Sequence, residues 1–152
     1  VTGANRLAQY LAHRTLTERG MARLIHTMIR VRDLERSLAF YETVLGMTPS
    51  HRLDFDDFSL VYLRNGEADA EIELTWNKDR EAPYTHGDGY GHVAVVVDDA
   101  HAERERLLGL GFAPKDLREF NNGAGELLAR YFFIEDPDGY KIEVLEKHGH
   151  YR

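Results

Sequence analysis

The sequence predicts an α+β fold built from two tandem βαβββ modules, and three observations predict it. Short β-rich runs are broken by single amphipathic helices. The order strand, helix, strand, strand, strand occurs twice. Matching landmarks recur at a constant offset, since His26 to Asp33 and His92 to Asp99 both span seven residues, while Asp33 to Gly46 and Asp99 to Gly111 differ by one. A half of this size buries too little apolar surface to be comfortably stable alone, so two must pack together.

Residues 1–23 differ in character from the rest of the chain. Leu7, Tyr10 and Leu11 fall at helical spacing, and Arg6, His13, Arg14 and Arg19 face the single acid Glu18, so an N-terminal helical extension with no chemical role is expected. Module one covers 24–77. Leu24 to Val31 is a strand, and Asp33 is a suitable N-cap for a helix whose Leu34, Leu38, Tyr41 and Leu45 recur every three or four residues. Gly46 supplies the helix stop. Met47 to Leu53 and Phe58 to Leu63 read as strands around the acidic turn Asp54 to Asp57, and Asn65-Gly66 marks the next turn. In the closing strand Ala70 to Trp76, alternation puts Ile72, Leu74 and Trp76 on one face and Glu71, Glu73 and Thr75 on the other.

Residues 78–90 lack periodicity and form a linker. Module two covers 91–147. His92 to Val97 is its first strand, and Asp98-Asp99 caps a helix carrying Ala100, Glu103, Leu107 and Leu108. Residues 120–126 (FNNGAGE) read as a glycine-rich loop. Tyr131 to Ile134 and Tyr140 to Leu145 then flank Asp136-Pro137-Asp138-Gly139 as a hairpin, because proline presets φ and glycine accepts φ > 0. Ile142 and Val144 share one face of the last strand; Lys141, Glu143 and Leu145 share the other. Residues 148–152 form a tail whose His148 and His150 carry no assigned role, and His51, His86 and His101 have no counterpart in the repeat.

Composition narrows the function. A net charge of −7 argues against nucleic acid as a partner. The longest apolar run, Val93 to Val97, is too short for a bilayer, so no membrane role is expected; the chain is expected to be cytoplasmic. With no cysteine, any metal site must use histidine and carboxylate.

Such a site is suggested by the repeat. His26 and His92 open the first strands of the two halves, 66 residues apart, and Glu73 and Glu143 lie in the last strands, 70 apart. Singly, each has an ordinary structural reading. As equivalent residues of a duplicated unit, all four can be gathered by a two-fold axis into a mixed N/O site for Zn, Ni, Co, Mn or Fe(II). Spacing alone leaves Glu71 and Glu73 as alternatives.

The runs LIHTMIRVRDLERSLAFYETVLGM, IELTWN, YGHVAVVVDD and EDPDGYKIEVLE resemble glyoxalase I, the lactoylglutathione lyases of the vicinal oxygen chelate superfamily. The resemblance makes residues 24–147 a single glyoxalase-type domain whose modules enclose a metal cleft. It implies His26, Glu73, His92 and Glu143 as ligands of one divalent ion per site, nickel or cobalt favoured and zinc possible. It also implies isomerisation of the hemithioacetal of methylglyoxal and glutathione, or a related thiol, to an S-lactoyl thioester through an enediolate. Glu143 is then the expected base, with Glu73 as its catalytic counterpart. Arg30 and Asn77 match positions that bind the glutamyl end of the thiol, and a homodimer is the usual assembly. Residues 115–131 depart from the family pattern: neither Lys115 nor Arg130 aligns with the basic residue that contacts the glycyl carboxylate. An epimerase or isomerase of another thioester and a non-catalytic small-molecule-binding module are the alternatives.

Overall fold

The computed structural model describes residues 22–152. The expected leader helix therefore lies, up to residue 21, outside the described residues. From there the chain runs β1 (His26–Val31), α1 (Leu34–Leu45), β2 (Thr48–Asp54), β3 (Phe58–Arg64), β4 (Glu71–Asn77), β5 (Val93–Val97), α2 (Ala100–Gly109), β6 (Arg118–Asn121), β7 (Leu127–Glu135) and β8 (Lys141–Glu146).

Both helices start on an aspartate. Asp33 accepts a hydrogen bond from the Arg36 N–H at 3.0 Å, and Asp99 accepts from the Ala102 N–H at 2.9 Å, each satisfying a donor that the first helical turn leaves free. Helix α1 ends on Gly46 at φ 63°, a left-handed position that glycine adopts without a Cβ penalty.

Strands form two four-stranded sheets of identical topology, ordered β1-β4-β3-β2 and β5-β8-β7-β6. In each, the first strand lies at a sheet edge and pairs in parallel with the last, β1 with β4 and β5 with β8. One face of each sheet packs on the helices. There Ile29, Val31, Val61, Leu63, Ile72 and Leu74 of module one share a core with Phe132, Ile134, Ile142 and Val144 of module two. The opposite face carries His26, Met28 and Arg30 on β1, and Glu71, Glu73, Thr75 and Asn77 on β4.

The modules are tied directly to each other. Tyr41 on α1 donates to Asp136 at 3.1 Å, and the Arg32 side chain donates to Asp138 at 3.1 Å. Arg106 on α2 donates to the carbonyls of Thr43 and Val44, near the end of α1. This clamping corrects the expected face of α1. Leu34 and Tyr41 are buried as predicted, but Ser37, Phe40 and Val44 are buried where Leu38 and Leu45 are only partly so, because α1 touches module two as well as its own sheet. Phe40 meets Phe112 edge-on at 5.8 Å. On α2, Ala100 and Leu107 are buried and Leu108 is exposed.

A second correction concerns residues 118–130. In place of a loop over 120–126, Phe120 and Asn121 belong to β6 and β7 begins at Leu127, so only 122–126 form the turn. The reason is local. The Asn122 side-chain oxygen accepts from the N–H groups of Ala124 and Glu126, and Gly125 takes φ 83°, which closes a tight hairpin without β-branched residues at its tip. The Asp136–Gly139 hairpin forms as read. Asp136 accepts at one oxygen from the N–H groups of Asp138 and Tyr140, and Gly139 sits at φ 87°.

Candidate active site

The four residues singled out by the repeat occur as two pairs. His26 Nε2 lies 3.2 Å from a carboxylate oxygen of Glu73, and His92 Nε2 lies 3.1 Å from one of Glu143. His26 opens the edge strand β1, and His92 directly precedes the edge strand β5. Among the described residues no histidine forms an ion pair with Glu71; the Ser50 hydroxyl donates to it. The contact thus separates two glutamates that spacing left as alternatives.

The pairs are close structural copies. Tyr62, paired across the sheet with Glu73, stands edge-on to His26 at 5.5 Å and 69°; Phe133, paired with Glu143, stands edge-on to His92 at 5.4 Å and 70°. Their surroundings differ in polarity. Thr75 Oγ1 donates to Glu73 at 3.1 Å, and burial together with the Glu73 carboxylate pushes the Tyr62 phenol pKa up. The matching positions beside Glu143 are Leu145 and Phe133, which have nothing to donate.

Within one chain the pairs do not converge. Among the described residues, no group of three or more histidine, aspartate, glutamate or cysteine side chains is close enough to hold an ion. Each pair nevertheless fits as half of a metal site. Adjacent ligands at about 2.1 Å from a hexacoordinate ion lie about 3 Å apart, which matches the observed N···O separations. Imidazole with carboxylate is also a donor set suited to first-row divalent ions.

Arg30 and Asn77 share the pairs' face of the first sheet, at its other end. Arg30 is exposed and lies opposite Thr75, while Asn77 ends β4 and donates to the Tyr84 hydroxyl at 2.8 Å.

A family model described as the Glyoxalase/Bleomycin resistance protein/Dioxygenase superfamily matches residues 23–144. The chain belongs to this glyoxalase superfamily. Among its curated relatives, a lactoylglutathione lyase of Neisseria meningitidis is 43% identical over 130 residues, covering 82% of this chain and 91% of the relative. One of Haemophilus influenzae is 41% identical over 127 residues, with coverages of 81% and 91%. Among solved structures, the trypanothione-dependent glyoxalase I of Leishmania major is 34% identical with a TM-score of 0.68, covering 84% of this chain and 88% of that one.

In this glyoxalase chain, sequence reasoning gave Tyr62 and Thr75 no role. Two-residue alternation from Glu73 reaches Thr75, but the approach of Tyr62 needs the β3–β4 register. Arg130 is ruled out as a partner for the site, being held on the helix side of β7 by Glu119 and Glu146 at 2.8 and 2.6 Å. Lys115 instead lines a depression of about 400 Å³ beside His92, together with Tyr90, Phe133, Glu135 and Lys141. In the tail, His148 and Tyr151 pair through their backbones. No helix of the described residues is long and apolar enough to cross a membrane.

Proposed function

We propose that this chain is a metal-dependent glyoxalase I. It isomerises the hemithioacetal formed from methylglyoxal and a low-molecular-weight thiol to the S-lactoyl thioester. The observation that carries the reading is the matched pair of imidazole–carboxylate contacts, His26 with Glu73 and His92 with Glu143, on equivalent strands of a duplicated unit. The relatives named lactoylglutathione lyase support it.

The pairs are brought together by a second copy. Strands β1 and β5 are both sheet edges; His26 on β1 pairs with Glu73 on β4, and His92 just before β5 pairs with Glu143 on β8, so each module carries half of the donor set. Met28 at 40% and Val96 at 42% exposure leave apolar surface on these edge strands for a partner to cover. A homodimer that sets β1 of one subunit against β5 of the other assembles His26, Glu73, His92 and Glu143 around one ion, with nickel or cobalt favoured over zinc.

A divalent ion held by these four residues would supply Lewis acidity that favours loss of the substrate C1 proton. Glu143 takes the proton from C1 and returns it to C2, while one hydroxyl proton passes from the C1 oxygen to the C2 oxygen, so no atom or electron is gained or lost. Glu73 remains on the other side as a fixed carboxylate. Arg30 and Asn77 bind the carboxylate-bearing end of the thiol, for which a guanidinium fork is suited. Lys115 and Lys141 offer positive charge to a second carboxylate beside His92. The Leishmania relative is named for trypanothione, so glutathione is one candidate among related thiols. Cytoplasmic residence belongs to the same reading.

The deciding experiment measures thioester formation by chelated protein before and after addition of nickel, cobalt or zinc. Full activity without any added ion, after verified metal removal, would sink the proposal.

A further inference from the structure

The two glutamates are equivalent by duplication but not by environment. Glu73 is 8% exposed and accepts from Thr75 Oγ1 at 3.1 Å while contacting His26 at 3.2 Å, so its two oxygens are held in different directions. Thr75 is itself only 8% exposed and lies on the same strand two residues on, which leaves the hydroxyl little freedom to turn elsewhere. Tyr62 is the direct cross-strand partner of Glu73, and its ring stands edge-on to His26, the imidazole that Glu73 contacts, at 5.5 Å. In module two the same places are taken by Leu145 and Phe133, and among the described residues no hydroxyl reaches Glu143. Its side chain also keeps more exposure, 18% against 10%.

A carboxylate fixed at both oxygens resists reorientation, whereas one fixed at a single oxygen can swing away from its imidazole. We propose that Thr75 and Tyr62 are positioning residues that keep Glu73 in place as a permanent ligand. Their replacement by Leu145 and Phe133 frees Glu143 to leave the imidazole and move the substrate proton. This inference rests on the proton-transfer reading above and adds why one of two duplicated acids performs it.

The test uses the full chain with Thr75→Val, Tyr62→Phe and the double variant. Thr75→Ser serves as the conservative rescue and Leu145→Val as a packing control. Nickel affinity is measured on metal-free protein by competition with a chromogenic chelator. Outer partners of metal ligands typically contribute 10- to 100-fold in affinity, so the double variant is expected to bind nickel about tenfold more weakly. Thr75→Ser and Leu145→Val are expected to stay within twofold of the parent.

The second readout is residual turnover of Glu143→Gln. In the double-variant background, a released Glu73 can take over part of the proton transfer, and residual turnover is expected to rise at least tenfold. If Glu143→Gln collapses turnover but nickel affinity or that residual rate does not move, the positioning role is overturned and the proton-transfer reading stands. Near-normal turnover by Glu143→Gln alone overturns the proton-transfer reading instead. Nickel affinity then still decides whether the two side chains hold Glu73.

Discussion

Tyr41 in the first module and Asp136 in the second meet through a buried hydrogen bond of 3.1 Å, although 95 residues separate them in the chain. Asp136 is 5% exposed, and its other oxygen accepts from two backbone N–H groups of its own hairpin. Tyr41→Phe removes one donor and keeps the ring, so a loss of about 1 kcal/mol is expected in urea unfolding. Asp136→Ala strands the phenol and both N–H groups and should cost several times more.

Burial raises the Asp136 pKa above the usual carboxylate value, against three hydrogen bonds that lower it. A group raised on folding contributes stability that is fully present below its ordinary pKa of about 3.9 and is lost as pH rises through the folded value. Asp136→Asn cannot ionise. Its melting temperature should therefore fall less than that of the parent as pH climbs out of the ordinary carboxylate range. Parallel melting curves for the two proteins across that range would disprove the assignment.

Replacing Glu143 with glutamine should lower kcat by about 10²- to 10⁴-fold, the usual contribution of a general base. The bound-metal content of the purified variant should change far less. Atomic absorption and steady-state kinetics on one preparation measure both.

Arg30→Lys keeps the charge but loses the planar fork, and is expected to raise KM for the hemithioacetal about tenfold with kcat nearly unchanged. Lys115→Ala and Lys141→Ala should raise KM in the same way with a glutathione adduct. They should have little effect with a thiol that lacks a second carboxylate. Equal effects on both adducts would remove the two lysines from thiol recognition.

Much of the framework can be read without coordinates because it depends on local chemistry. Asp33 and Asp99 cap helices, Gly46 ends one, and Asp136 to Gly139 turns a hairpin through rules that act within four residues. Strand alternation likewise puts Glu73 and Thr75 on one face. What escaped depends on contacts distant in sequence. Phe40 and Val44 are buried by packing that includes module two, and β6 exists because Arg118 to Asn121 finds a partner in β7. The four candidate residues were legible, but not whether His26 and Glu73 meet His92 and Glu143 within one chain. Their separation follows from the packing of one module on the other, to which the repeat period is blind.

In the dimer proposed above, carrying the donors as two separated couples gives the chain a genetic signature. In a two-fold assembly, a chain bearing His26→Ala and one bearing His92→Ala are each inactive alone. Mixed together, the hybrid concentrates both lesions at one of its centres and leaves the other wholly wild-type. Complementation between two dead alleles, with recovery capped at a quarter of wild-type turnover for random equimolar pairing, is the inheritance pattern such an arrangement implies.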